Sequence, residues 1–109
     1  MSFFRTAYVY VRNIFAGVLC ETDEGYTFSY NADYLRRSNA SPVSLTLPLQ
    51  EGAYCSKTLF PFFDGLIPEG WLLKVVHDNW KIPAEDRFGI LLVACRDGIG
   101  NVSIREERI

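Results

Sequence analysis

The sequence has little of what metal sites and disulfide frameworks need. Its cysteines are Cys20, Cys55 and Cys95, its only histidine is His77, and no C-x-x-C pair occurs. An odd, widely spaced set of thiols is typical of reduced cysteines in a cytosolic protein. A zinc site has no support, because no cysteine lies near His77 in the sequence. We therefore expect a cytoplasmic protein without disulfides, metal or other cofactors.

Long hydrophobic runs and clusters of positive charge are also missing. The longest purely apolar run, Phe88–Cys95, is too short to span a bilayer. Arg12 and Asn13 interrupt the apolar stretch near the N-terminus, which does not fit a signal peptide. The net charge is -2, and Arg36-Arg37 is the only adjacent basic pair, whereas a nucleic-acid surface would cluster its cations. We expect one soluble domain over residues 1–109, with no membrane contact and only indirect contact with DNA.

Hydrophobic residues make up 49% of the chain and aromatic residues 15%, enough for one real core. Segments rich in β-branched and aromatic residues, or strictly alternating, predict five strands. Arg12-Asn13 predicts a tight hairpin between the first two, and Pro48 ends the fourth or places it at a sheet edge. The predicted strands are Ala7–Arg12, Ile14–Cys20, Tyr26–Tyr30, Val43–Leu47 and Gly100–Ile104.

Helical signals lie between and after these strands. Asn31 predicts the cap of a short helix over Ala32–Arg37. Pro68 and the spacing of the apolar residues behind it predict a helix over Pro68–Trp80. After Pro83, apolar side chains recur at i, i+3, i+4 and i+7 and predict a second main helix that ends near Gly98. The order of elements indicates an α+β fold: a small antiparallel or mixed β-sheet with two main helices in the C-terminal half.

Two features invite a catalytic interpretation, and both fail. Arg96-Asp97 followed by Asn101 is similar to a kinase catalytic loop, but the spacing is one residue short and no glycine-rich loop precedes it. A helix end that runs into a strand explains the same residues. His77 has no nucleophile motif around it. We therefore expect a protein that is not an enzyme.

The stretch Pro61–Trp71, PFFDGLIPEGW, combines aromatic bulk with two prolines and two carboxylates. Two interpretations stay open, an inward plug and an outward docking element. Phe62, Leu66 and Ile67 favour the plug, with Asp64 and Pro68 marking two helix starts. Trp71 favours docking, because it lies beside the apolar stripe of its predicted helix and tryptophan is enriched at binding hot spots. The candidate partner-binding residues are Phe63, Asp64, Ile67, Pro68, Glu69 and Trp71.

The order of YVYVRNIFAGVL, YTFSYNADYL, PVSLTLPL, PFFDGLIPEGWL and FGILLVACRDGIGNVSI resembles the N-terminal subdomain of HipA-type serine/threonine kinases. These kinases are toxins of bacterial persistence modules. The resemblance covers nearly the whole chain, and it implies a small β-rich α+β unit that packs on a kinase N-lobe. None of the family's nucleotide-binding or catalytic residues has a counterpart here to carry over.

A chain of this extent is also similar to HipS, the small antitoxin subunit of the three-component HipBST modules. The resemblance implies two partners in a bacterial cytoplasm: a HipT-like kinase toxin, which HipS neutralises, and a HipB-like helix-turn-helix protein, which supplies DNA binding. Two alternatives stay open. In the first, the chain is a non-inhibitory assembly subunit of the kinase. In the second, it is an N-terminal fragment of a HipA-type kinase.

Overall fold

The computed structural model describes residues 4–67, 70, 86–94 and 102–105. Its centre is a five-stranded antiparallel sheet in the order β4-β3-β2-β1-β5. The strands are β1 Thr6–Val11, β2 Ile14–Thr22, β3 Gly25–Tyr30, β4 Tyr54–Ser56 and β5 Val102–Arg105. The helices are α1 Ala32–Leu35, α2 Pro61–Asp64 and α3 Arg87–Ala94. The α+β class predicted from the sequence is confirmed.

The first hairpin forms where the sequence predicts it. Arg12 and Asn13 have φ angles of 50° and 66°, the left-handed pair that a two-residue hairpin turn requires and that matches the twist of the strands. Pairing runs from Val11↔Ile14 outward, with a register shift between Val9 and Tyr10. On the other side of β2, where Gly17 pairs with Tyr30, the carbonyl of Ala16 accepts a 2.7 Å hydrogen bond from the amide of Asn31. That bond joins the hairpin to the start of α1.

The core lies on one face of the sheet, where alternate residues of the strands meet α2 and α3. Phe28 of β3, Phe63 of α2 and Phe88 of α3 are all fully buried there. Leu91 and Leu92 continue the apolar stripe of α3 into the same cluster, as the spacing after Pro83 predicts. Burial of this much apolar surface is the main force that holds the helices on the sheet.

The prediction of a strand over Val43–Leu47 is wrong. The segment is a turn, closed by a 3.1 Å bond from the amide of Leu47 to the carbonyl of Ser44 and joined by a single bridge. The hydroxyl of Tyr30 accepts from the amide of Val43 and donates to the carbonyl of Leu47. In a strand, these two backbone groups would have formed hydrogen bonds with a neighbouring strand. The fourth strand is Tyr54–Ser56 instead, paired with β3.

The helices match the sequence in part. Asn31 caps α1 as predicted, because its side-chain oxygen accepts from the amides of Asp33 and Tyr34 at 3.1 and 3.2 Å. The predicted helix Pro68–Trp80 and the predicted helix end at Gly98 lie outside the described residues. Asp64 was expected to mark a helix start, and this is wrong: the helix begins at Pro61 and Asp64 is its last residue.

Candidate partner-binding site

The described part of PFFDGLIPEGW is a tightly wound segment. Pro61 occupies the first turn of α2, a position that suits proline because the missing amide would have no helical partner there. Backbone bonds then continue residue by residue, from Asp64 to Phe60, Gly65 to Pro61, Leu66 to Phe63 and Ile67 to Asp64, at 2.9 to 3.2 Å. The described start of the segment is therefore an ordered turn rather than an extended loop.

Phe63 does not lie on the surface of this segment. Its side chain is 0% exposed, and its ring packs against the rings of Phe28, Phe60 and Phe62 with centroid distances of 5.3, 6.1 and 5.2 Å. The expectation that Phe63 contacts a partner is corrected, because the short helix that begins at Pro61 places this ring in the core, against Phe28 of the sheet. Phe63 is the residue that fixes the segment to the core.

Phe62, Leu66 and Ile67 are half-buried and pack against the core cluster, so the inward interpretation holds for each of them in part. Ile67 keeps part of its side chain accessible and remains a candidate contact residue. Gly70 is exposed, and apart from its chain neighbours no atom of the described residues lies within 4 Å of the place where a Cβ would be. Pro68, Glu69 and Trp71 lie outside the described residues, so their roles stay predictions.

Asp64 is engaged within the chain. Its Oδ1 accepts a 2.7 Å hydrogen bond from Nε of Arg87, the first residue of α3. Both side chains are partly exposed, and an ion pair of this kind contributes about 1 kcal/mol or less to folding. The pair links the end of α2 to the start of α3. Asp64 therefore helps to position the segment against α3.

A second link at the start of α3 was missed from the sequence. Arg5 donates to both oxygens of Asp86 at 2.7 and 2.9 Å and to both oxygens of Glu21 at 2.8 and 3.0 Å. Its guanidinium also lies over the ring of Phe88, 5.2 Å from the centroid. Asp86 in turn accepts from the amide of Gly89, as a helix N-cap does. One arginine thus joins β2, the first residues of the chain and α3.

Gly89 is fitted to this network. A side-chain carbon at position 89 would lie 2.4 Å from Oδ2 of Asp86 and 3.0 Å from a guanidinium nitrogen of Arg5. The partner of Asp86 is 81 residues away, and no local pattern indicates it.

Arg5 also sets the acid response of the fold. Its hydrogen bonds hold the pKa of Glu21 and the pKa of Asp86 below their ordinary values, against a smaller opposing effect of burial. A carboxyl group with a lowered folded pKa adds stability above its unfolded pKa of about 4, and that stability is lost as the pH falls through the folded pKa. The network should therefore stabilise the domain at neutral pH and fail in acid.

We expect Arg5→Met to lower the free energy of unfolding at pH 7 by about 1–2 kcal/mol, since the pairs are bidentate but partly exposed. The gap from the wild-type protein should shrink as the pH falls below about 4. Urea unfolding at pH 7, 5 and 3 measures it. Arg36→Met is the matched control, because its pair with Asp33 is largely exposed. A gap that is the same at every pH would contradict the role of the two carboxylates.

The described residues contain no group of three or more histidine, cysteine, aspartate or glutamate side chains that could hold a metal ion. None of the helices in this part of the chain has the length and apolar content that crossing a membrane requires. In the described part of the segment, the ring of Phe63 is buried in the core, and the partly exposed side chains of Asp64 and Ile67 follow it.

Comparisons with known proteins agree with this fold. Residues 7–105 match the family described as the HipA N-terminal domain. An uncharacterized protein of Haemophilus influenzae is 38% identical over 104 residues, which cover 95% of this chain and 94% of that protein. A solved structure of the N-terminal domain of HipA toxin is 33% identical, with a TM-score of 0.75, and the match covers 99% of this chain and 97% of that one.

Proposed function

Because the chain belongs to the HipA N-terminal domain family, we propose that it is a HipS-like antitoxin that binds and neutralises a HipT-like serine/threonine kinase. The observation that carries the proposal is the Haemophilus influenzae relative, nearly all of which is this one domain. A protein built of this domain acts through what it binds. A HipB-like helix-turn-helix protein in the same complex supplies the contact with DNA.

The proposed contact surface is the end of PFFDGLIPEGW. It consists of Asp64, Ile67, Pro68, Glu69 and Trp71. Trp71 is the aromatic anchor, and the buried Phe63 fixes the start of the segment to the core. Large aromatic side chains dominate the binding energy of many interfaces, and charged neighbours at the rim contribute less. The fixed start of the segment supports this role, because a preordered element loses less conformational freedom when it binds.

Co-expression tests the function directly. The chain is produced in bacteria together with the HipT-like kinase encoded beside its gene, and growth and complex formation are measured. We expect growth to be restored and the two proteins to purify as one complex. A complex that leaves the kinase toxic would instead support the non-inhibitory assembly subunit. Failure to form a complex, with both proteins folded and soluble, would exclude the proposal.

A further inference from the structure

Leu45 lies almost entirely in solvent. It is 95% exposed, while its neighbours two residues away, Val43 and Leu47, are buried in the core. Strict alternation would place all three side chains on one face. In the turn Ser44–Leu47, the side chain of Leu45 instead lies at the tip and points into solvent, away from the buried side chains of Val43 and Leu47. A single exposed leucine is common on protein surfaces, so exposure alone does not make Leu45 a contact residue. The structure around it must also support that role.

The turn that carries Leu45 is held by side chains on both sides. Tyr30 binds Val43 and Leu47 through its hydroxyl, as described above. Ser44 accepts from the amide of Thr46 at 3.2 Å, and the two hydroxyl oxygens are 3.0 Å apart. Tyr34 fixes the approach to the turn by bonding both backbone groups of Ser41, at 2.7 and 3.2 Å. Leu45 is therefore presented on a preformed backbone, which lowers the entropic cost of docking.

The sequence around Leu45 carries no charge, and the side chain of Arg12 reaches this segment at Asn39 and Ser41. Between Arg37 and Glu51, no residue is acidic or basic, and Leu49 adds further exposed apolar surface. Depletion of charge around an apolar centre is the compositional mark of a protein–protein interface core. A nucleic acid would need cations at this place, and a membrane surface would need a wide apolar face with basic residues. The chemistry fits a protein.

The turn is convex, so its partner must supply a pocket. Three of the clefts on the described surface could be considered on a second copy of the chain, and each has charged residues in its lining. These residues are Glu24 and Lys57 in the first cleft, Arg36 and Glu51 in the second, and Asp33 and Arg37 in the third. A leucine buried in one of them would have to displace water from charged side chains. This favours a different protein over self-association.

We propose that Leu45 is a second anchor of the chain, which inserts into an apolar pocket of the kinase, separate from the contact of the Pro61–Trp71 segment. The proposal rests on the proposed function for the identity of the partner. Burial of one leucine side chain corresponds to roughly a tenfold to hundredfold gain in affinity. The anchor therefore contributes to affinity without being the whole of it.

The test compares Leu45→Ser with Leu45→Met, which keeps the apolar bulk. Binding of each purified variant to a catalytically inactive form of the kinase encoded beside the gene is measured by calorimetry, with thermal melting of each variant alone. We expect Leu45→Ser to weaken binding roughly tenfold to hundredfold, Leu45→Met to bind nearly as the wild-type chain, and both to melt unchanged. Phe4→Ser, which also removes an exposed apolar side chain, should leave binding unchanged.

The outcomes separate this proposal from the function on which it rests. If the wild-type chain binds the kinase and Leu45→Ser binds equally well, the anchor is excluded and the proposed function stands. If the wild-type chain does not bind the kinase, both are excluded. Sedimentation adds a further outcome: a wild-type dimer that Leu45→Ser dissociates would make a second copy the occupant and overturn the kinase assignment.

Discussion

Trp71→Ala is expected to weaken binding to the kinase by about 2 kcal/mol or more, roughly 30-fold, and to restore toxicity in cells. In the sequence, Trp71 follows Pro68 by three residues and lies beside the apolar stripe that Leu72, Val75 and Val76 form at helical spacing. A first-turn residue off that stripe contributes little to a core. Its loss should therefore leave the melting temperature nearly unchanged.

The measurement pairs calorimetric affinity with thermal melting for each variant. Asp64→Ala is the control from the same segment, because its carboxylate is already bonded to Arg87. It should change binding much less than Trp71→Ala. The docking role of Trp71 would be wrong if Trp71→Ala melted the domain while the remaining folded protein bound with wild-type affinity, since that result would place the indole in the core.

The sequence predicts the elements whose causes are local. The Arg12-Asn13 turn, the Asn31 cap and the apolar spacing of α3 each depend on residues within a few positions of one another, and all three are confirmed. The prediction of a strand over Val43–Leu47 is wrong because the alternation of apolar and polar residues does not distinguish a strand from a turn whose two ends, Val43 and Leu47, are buried. The group that decides between them, the hydroxyl of Tyr30, is 13 residues from Val43 and 17 from Leu47.

The candidate site was harder to predict for the same reason. Phe60, Phe62 and Phe63 are close together in the sequence, and composition does not show that Phe60 and Phe63 are buried while Phe62 stays half-buried. The choice depends on where the helix begins, at Pro61, and on Phe28 in the facing strand. Leu45 likewise lies within the strand that was wrongly predicted over Val43–Leu47. The ion pairs of Arg5 with Asp86 and of Asp64 with Arg87 join segments that are distant in sequence.

Phe63 is the described residue of PFFDGLIPEGW on which the fold depends most. It lies where α2, the sheet and the aromatic neighbours Phe28, Phe60 and Phe62 meet. Its substitution should therefore act on stability first and on partner binding only through unfolding.

Phe63→Ala is expected to cost about 3–5 kcal/mol of unfolding free energy, because the ring is fully buried and its removal leaves a cavity. Small domains are stable by only about 5–15 kcal/mol, so a large share of the molecules should unfold near body temperature. Urea unfolding followed by tryptophan fluorescence measures the loss. Phe62→Ala is the matched control: its ring is half-buried, so its cost should be clearly smaller. If Phe63→Ala instead kept wild-type stability and lost only kinase binding, the ring would reach the partner after all, and the inward assignment of Phe63 would be wrong.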